Sequence, residues 1–292
     1  MNPNEAVWGR REVAVGFILL GALLSLYLPF LQTMVSDWGK NDDYSHGYFI
    51  PVLTIYFIYS MRAELREIAI VPNKLGIVVI AVGLAQLIIA KIGSEYFLQR
   101  TSFIIVLLGL VFFLLGWQYF RKLFVPIAYL IFMVPLPAII WNKIAFPMQL
   151  FASALTEKVV YFFGIPIYRE GNVLHLAQTT LEVVAACSGL RSLVTMFALS
   201  GALAILSPLS APKKVILFLA AAPIAIFANI CRLTFTALLA TKLGSDAAQG
   251  FLHEFSGIMV FLLGLSLLVA VNWLLGRIYV ESAPHGTGNG KF

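Results

Sequence analysis

The sequence has little charge and almost no cysteine for its length. Only 12% of its 292 residues are charged, whereas 60% are hydrophobic. A soluble domain of this size needs far more polar surface, so the composition excludes a water-soluble enzyme or carrier. Two cysteines, Cys187 and Cys231, are too few for a disulfide framework. The net charge of +6 is scattered between apolar runs, so it is interpreted as a signal of membrane topology, and no nucleic-acid partner is expected.

Motifs for several other chemistries are also missing. The sequence contains no HExxH, no GxSxG and no glycine loop that would cradle a phosphate, and no internal repeat is detectable. We therefore expect no cofactor and no metal. The first apolar run, near 13–35, is too long for a signal peptide and lacks a small-residue cleavage site. Residues 281–292 are rich in glycine and polar residues and are expected to be disordered.

Apolar runs long enough to cross a bilayer recur along the chain. A helix of about 18 or more apolar residues spans a hydrocarbon core of roughly 30 Å. We expect an all-α polytopic membrane protein that forms one integral membrane domain over residues 1–280. The predicted spans are 13–35, 46–61, 75–92, 102–120, 123–140, 188–206, 215–241 and 250–275. Eight spans place both termini on the same side of the membrane.

Basic residues of the short loops fall on one side of this arrangement. They are Arg10, Arg11, Arg62, Arg66, Lys74, Arg121, Lys122, Lys213, Lys214 and Arg277. The positive-inside rule makes this side cytoplasmic. The opposite side carries the acidic segment 37–43 and a long insertion at about 141–187. Within that insertion we predict an interfacial amphipathic helix over 138–163, a β-hairpin at Gly171-Asn172 and an extended piece over 180–185.

Three chemically competent residues converge at one membrane depth in this topology. Cys187 lies at the outer start of the sixth span, and His253 lies about one turn into the outer end of the eighth. Arg232 is roughly 25 Å along the seventh span, in the outer leaflet. Inserting a guanidinium into the membrane within a helix costs at least ~2.5–3.5 kcal/mol of free energy. Such residues therefore usually face the interior of the helix bundle and have a functional role.

Each of these residues also has a simpler interpretation. A lone membrane cysteine is usually an apolar filler, a lone histidine often only forms hydrogen bonds, and an arginine can snorkel to the headgroups. Cys187, however, follows a predicted strand and opens a helix, where backbone N–H groups and the helix dipole favour a thiolate. Arg191 is one turn further along the helix, and its positive charge also favours the thiolate form of Cys187. Asn229 lies three residues before Arg232, on the same helix face.

These residues, taken in order, resemble the exosortase/archaeosortase family. The matching segments are 43–47 (Asp-Tyr-Ser-His-Gly), 134–137 (Val-Pro-Leu-Pro), 171–172 (Gly-Asn), 186–192 (Ala-Cys-Ser-Gly-Leu-Arg-Ser), 229–232 (Asn-Ile-Cys-Arg) and His253. The resemblance covers roughly residues 37–260, and its specificity lies in the joint order of the short motifs. This sequence differs from the longest family members in having no soluble domain fused after the membrane part, which leaves the subclass and the exact signal motif open.

The resemblance implies a membrane transpeptidase with sortase-like chemistry on an unrelated fold. Its partners would be secreted proteins with a C-terminal signal: a short motif (Pro-Glu-Pro in the best-known class), a transmembrane helix and a basic tail. Cleavage would occur on the outer face of a bacterial inner membrane, with transfer to an unknown acceptor nucleophile linked to exopolysaccharide production. Cys187 matches the nucleophile, Arg232 the arginine and His253 the histidine. Supporting candidates are Asn229, Ser188, Arg191, His46 and Asp43.

Three alternatives remain open. A transporter or flippase would use the membrane arginine and the prolines Pro126, Pro135 and Pro223 to line a pathway, although the polar residues concentrate in the outer leaflet. A non-catalytic scaffold of a surface-polysaccharide system would not need the thiol of Cys187. A disulfide between Cys187 and Cys231 would consume the nucleophile. Membrane lipids are expected partners under every interpretation.

Overall fold

The computed structural model describes residues 10–177, 179–183, 190–243 and 251–277. Within these ranges the chain is mostly helical, with one small antiparallel sheet. It divides into two compact units, Met1–Lys143 and Ile144–Phe292. The prediction of a single membrane domain over 1–280 stays a prediction. The tail predicted at 281–292 lies outside the described residues.

The first unit is built from helices connected by short turns. Its elements are α1 (Arg10–Lys40), a 3-10 turn (Asp42–Tyr48), α2 (Phe49–Ser60), α3 (Arg62–Arg66), α4 (Gly76–Ile92), α5 (Tyr96–Leu115), α6 (Trp117–Ala128) and a second 3-10 turn (Tyr129–Met133). Helices α4 and α5 approach each other closely at Gly83. A Cβ atom on this residue would lie only 2.6 Å from Val106 Cγ2, so the absence of a side chain permits the contact. Tyr27 of α1 packs on this pair and shares a 2.9 Å hydrogen bond with Ser102 of α5.

The second unit combines a three-stranded sheet with long helices. Its elements are α7 (Ala138–Phe162, which begins just before the unit boundary), β1 (Ile167–Glu170), β2 (Val173–Leu176), β3 (Thr180–Glu182), α8 (Leu190–Leu206), α9 (Ala211–Leu243) and α10 (Phe251–Arg277). The predicted hairpin is confirmed: β1 and β2 pair antiparallel on either side of Gly171, whose φ of +63° is tolerated best by glycine. The extended piece predicted at 180–185 is confirmed over Thr180–Glu182.

Helices α8, α9 and α10 pack on one another around small and aliphatic side chains. The buried core of this bundle is formed by Met196, Ala204, Leu217, Ala221, Ile224, Ala225 and Leu268. Ser207 donates a 2.8 Å hydrogen bond to Oδ1 of Asn272, and Lys213 Nζ donates a 2.7 Å bond to the carbonyl of Leu275. These bonds hold the end of α8, the start of α9 and the end of α10 together at one end of the bundle.

Five helices among the described residues are long and apolar enough to cross a membrane. They are Ala14–Lys40, Tyr96–Leu115, Ala138–Phe162, Ala211–Thr241 and Gly257–Arg277. Helices Gly76–Ile92 and Arg191–Leu206 are apolar but shorter. The chain is therefore a multi-pass membrane protein, but the predicted count of eight spans is not confirmed. The predicted orientation, with cytoplasmic termini, stays a prediction.

Three of the predicted spans differ from the structure. The segment 102–120 crosses from α5, which ends at Leu115, into α6, which begins at Trp117, and Gly116 between them has a φ of +89°. The segment 123–140 is not one helix: α6 ends at Ala128, and Val134 is extended (φ −89°, ψ 118°) before α7 begins at Ala138. Pro135 and Pro137 explain the break, because proline lacks an N–H and disfavours a helical residue before it. The segment 46–61 contains α2, whose 12 residues are about 18 Å long and shorter than a bilayer core.

The helix predicted at 138–163 is confirmed as α7. Its mean hydropathy of 1.2 is high enough for a membrane span, so composition does not favour the interfacial position over a crossing one. Pro147 lies within this helix. The predicted interfacial position therefore stays a prediction.

Candidate active site

Helix α9 carries two of the predicted site residues in a largely apolar sequence. Asn229 is 1% exposed, and Arg232 is partly buried three residues further along the same face. An amide and a guanidinium are costly to remove from water, so side chains of this kind inside a membrane helix usually serve packing specificity or function. The structure therefore places Asn229 and Arg232 within one turn of α9, and their roles in the site stay predictions.

The small sheet packs against the same part of α9. Leu174 of β2 and the buried Val183 form an apolar cluster with Ala152 of α7 and with Leu233, the residue after Arg232. A second cluster joins Leu176 of β2 to Ala237 and Ala240, about one and two turns further along α9. The chain at Val183 is thereby fixed close to the Arg232 region of α9.

Chain length limits how far Cys187 lies from this cluster. Cys187 and Ser188 fall within 184–189, outside the described residues. Cys187 is four positions after Val183 in the sequence, and an extended chain of that length reaches at most about 14 Å. On the other side, α8 begins at Leu190, three residues after Cys187. Both anchors lie in the second unit, beside or within the bundle that contains α9.

The helical rise sets the depth of the other two predicted residues. His253 lies in the first turn of α10 and precedes Asn272 by about 19 residues, or roughly 29 Å of helix. Arg232 follows Lys213 by about 19 residues of α9, again roughly 29 Å. Asn272 and Lys213 lie at the same end of the bundle, where the hydrogen bonds of Ser207 and Lys213 connect α8, α9 and α10. The helix positions of His253 and Arg232 therefore lie at similar distances from that end; the side chain of His253 is outside the described set.

Helix α8 contributes Arg191 from its first turn. Arg191 is partly buried, and its carbonyl accepts a 2.9 Å hydrogen bond from the hydroxyl of Thr195. Because α8 packs on α9, Arg191 belongs to the same bundle as Arg232 and Asn229. The assembly of these residues with Cys187 and Ser188 stays a prediction.

A polar face on α7 was missed by sequence reasoning. Gln149, Ser153 and Thr156 are buried at spacings of four and three residues, so they share one side of the helix. The hydroxyl of Ser153 donates a 2.7 Å bond to the carbonyl of Gln149. Thr234, two residues after Arg232, is another buried hydroxyl. The spacing in α7 was the available signal, but it was hidden in a segment interpreted as interfacial.

In the first unit, the segment 43–47 and nearby Trp38 form hydrogen bonds with backbone carbonyls of residues 132–136, between α6 and α7. His46 Nε2 donates a 3.0 Å hydrogen bond to the carbonyl of Phe132, and Trp38 Nε1 donates a 2.8 Å bond to the carbonyl of Met133. The hydroxyl of Tyr44 lies 3.5 Å from the carbonyl of Leu136. In a continuous helix these carbonyls would accept hydrogen bonds from backbone N–H groups. The helix is broken at the prolines, and the side-chain donors take the place of those N–H groups.

Burial dominates the electrostatics of this contact. It raises the pKa of Tyr44 to about 12, with a further increase from the neighbouring carboxylate of Asp43. Burial also lowers the pKa of His46, although backbone hydrogen bonds with Phe132 and Asp43 oppose that shift. Both side chains are therefore neutral near pH 7. Their bonds are structural, and the supporting roles predicted for His46 and Asp43 stay predictions.

The expectation that the protein needs no metal stays a prediction. Within the described ranges, no group of three or more His, Cys, Asp or Glu side chains is placed to hold an ion. Cys231 is a partly buried free cysteine. Among the described residues, arginine can stabilise negative charge, and amide and hydroxyl groups can form hydrogen bonds.

Comparison with known protein families identifies a match. The family model described as transmembrane exosortase matches residues 38–270 of this chain. That range includes segment 43–47 in the first unit and Cys187, Arg232 and His253 in the second. No curated protein and no solved structure matches the chain.

Proposed function

The chain belongs to the transmembrane exosortase family, and on this premise we propose that it is a membrane-embedded cysteine transpeptidase. Membrane protein sorting of the exosortase type is its general function. Its substrates are secreted proteins that carry a C-terminal motif, a transmembrane helix and a basic tail. The observation that carries the proposal is the family match over 38–270, which contains Cys187, Arg232 and His253 in the expected order.

The reaction proceeds in two steps through a thioester. The thiolate of Cys187 attacks the scissile carbonyl carbon, and the C–N bond breaks as His253 gives a proton to the leaving amine. The amine departs with the membrane helix of the substrate. The acceptor nucleophile then attacks the thioester carbonyl and loses its proton to His253, which releases the thiolate and restores the enzyme. Each step replaces one acyl bond with another, so no oxidant or cofactor is consumed.

Arg232 stabilises the negative oxygen of each tetrahedral intermediate. One preorganised donor of this kind contributes ~2.7–4 kcal/mol to the transition state. The packing of the sheet against Leu233 supports this role, because it excludes water from one side of the neighbouring helix surface. Asn229, buried one turn earlier, orients the guanidinium or the substrate carbonyl. Arg191 and the start of α8 favour the thiolate.

Co-expression with a reporter tests the activity. The reporter is a secreted protein with a C-terminal Pro-Glu-Pro motif, a transmembrane helix and a basic tail. We expect the wild type to remove the anchor and Cys187→Ala to leave it in place, as judged by the mass and membrane retention of the reporter. Cys231→Ala is the matched control, since it removes the other thiol, and it should process normally. Processing by Cys187→Ala at the wild-type rate would refute the proposal.

A further inference from the structure

A groove on the first unit lies on the basic side of the predicted topology. It has a volume of about 440 Å³ and lies where α2, α3 and α6 meet. Its principal lining residues are Ile55, Ile58, Tyr59, Arg62, Arg66 and Tyr119. The sorting chemistry gives these residues no role.

The groove is apolar at one end and cationic at the other. Val52, Ile55 and Tyr59 are 63%, 69% and 60% exposed and recur every three or four residues, so they form a continuous strip along α2. The strip ends where α2 ends, at Ser60. Short helix α3 follows and presents the exposed Arg62 and Arg66 one turn apart. This order of features matches the acyl chain and headgroup of a lipid.

The cationic end is held in place by its neighbours. The guanidinium of Arg62 lies 4.2 Å from the centre of the Tyr59 ring, and its Nη1 donates a 3.1 Å bond to the carbonyl of Tyr59. The hydroxyl of Tyr119 donates a 2.7 Å bond to the carbonyl of Leu65, which ties α3 to α6. Tyrosines at such positions are typical of the membrane interface.

The acidic residues of this region do not neutralise the arginines within the groove. Glu64, which lies between them in sequence, forms an ion pair with Lys122 of α6. That contact lowers the pKa of Glu64 through the hydrogen bond and charge of Lys122. Glu67 is exposed and does not line the groove. Arg62 and Arg66 therefore present an excess of positive charge beside an apolar strip.

We propose that this groove binds one anionic phospholipid, with an acyl chain along α2 and the phosphate between Arg62 and Arg66. Guanidinium groups present planar, paired donors that suit phosphate, and basic pockets between membrane helices bind anionic headgroups. A basic peptide segment, such as the tail of a sorting signal, is repelled by two arginines. The charge of the groove thus favours the lipid as its occupant.

Native mass spectrometry of the purified full-length protein tests this site. Phosphatidylglycerol and phosphatidylcholine are titrated against the wild type, Arg62→Ala/Arg66→Ala and the control Lys74→Ala/Arg121→Ala, which removes the same charge outside the groove. We expect the groove variant to bind phosphatidylglycerol roughly 10- to 30-fold more weakly, and the control to bind like the wild type. Equal weakening in both variants, or equal binding of the two lipids by the wild type, would overturn the proposal.

Two further measurements keep the result decisive. Soluble glycerol 1-phosphate should not displace the lipid at millimolar concentration, because it lacks the chain that fills the apolar strip; efficient displacement identifies a phosphate site and overturns the lipid assignment. If the groove variant does not fold, hydrogen exchange is compared for the wild type in nanodiscs of phosphatidylglycerol and of phosphatidylcholine. Slower exchange over residues 55–66 in the anionic discs supports the site, and identical exchange contradicts it.

Discussion

At the scale of single residues, Arg100 and Arg232 are two arginines within apolar helices, and a catalytic role is proposed only for the second. Arg100 of α5 is 8% exposed, and its Nη2 lies 2.5 Å from Oδ2 of Asp37, so its charge is balanced within the first unit. A membrane arginine is therefore not catalytic merely because it is present. Arg232 is distinguished by its place in the family's ordered motifs and by the buried amide of Asn229 one turn before it.

The proposed role of Arg232 makes its substitution a test of the transition state. We expect Arg232→Ala to lower kcat by about 10²–10³-fold while KM changes little, because the oxyanion forms only during the reaction. Arg232→Lys should recover only part of the rate, since a point charge does not reproduce the planar fork. The measurement is the initial rate of reporter processing in membranes at several substrate levels.

Arg277→Lys is the matched control for this series. It makes the same exchange at the opposite end of the bundle, where Arg277 lies 3.9 Å from the centre of the Trp273 ring. The rate should stay at the wild-type level. An increase in KM without a change in kcat for Arg232→Ala would instead assign Arg232 to substrate binding.

At the scale of elements, the hairpin was predictable and the broken helix was not. Gly171-Asn172 between two short apolar segments is a local turn signal, and the turn needs no distant contact to form. Residues 123–140 remain apolar across Pro135 and Pro137, so hydropathy alone favoured one span. The break is maintained by contacts from residues about 90 positions away, such as the bond from Trp38 to the carbonyl of Met133. Spacing within the sequence does not reveal such contacts.

The 3-10 turn that binds this break has little room for a larger side chain at Gly47. A Cβ atom there would lie 2.4 Å from Nε1 of Trp38, which donates to Met133. We expect Gly47→Ala to displace the indole, break that bond and lower Tm, with a cost of about 1–3 kcal/mol. The measurement is thermal unfolding in detergent.

Gly21→Ala provides the comparison for Gly47→Ala. Gly21 lies inside α1, and a Cβ atom there has no atom within 4 Å. Alanine favours a helix over glycine by roughly 0.5–1 kcal/mol, so Tm should stay the same or rise. Equal losses of Tm in the two variants would show that the contact with Trp38 is unimportant.

The lowered pKa of His46 predicts how stability depends on pH. Because the folded pKa lies below the ordinary value of 6.5, the unfolded chain binds more protons in the interval between the two values. Stability is therefore complete above pH 6.5 and is lost as the pH falls towards the folded pKa. We expect wild-type Tm to fall more than that of His46→Gln between about pH 7.5 and 5.5, since glutamine can donate to Phe132 without titrating. Parallel curves would contradict this prediction.

At the scale of the whole molecule, motif order was more informative than hydropathy. Five short motifs and one histidine, each weak alone, identified the family over nearly the range that its model matches. The number of spans was harder to predict because an apolar window does not reveal where a helix ends, as α2 shows with its 12 residues. The lipid groove was missed for a related reason: Arg62 and Arg66 were interpreted as topology signals, and the strip beside them becomes visible only when α2, α3 and α6 are packed.

The central claim is a covalent intermediate on Cys187, and mass spectrometry of the acid-quenched enzyme tests it most directly. The purified wild type is mixed with the reporter substrate in the absence of an acceptor nucleophile and digested. We expect the peptide that contains Cys187 to carry the C-terminal residues of the processed reporter, and hydroxylamine to remove this adduct because it is a thioester. The adduct should persist in Cys231→Ala. Reporter cleavage by the wild type with no adduct on Cys187 would contradict the account.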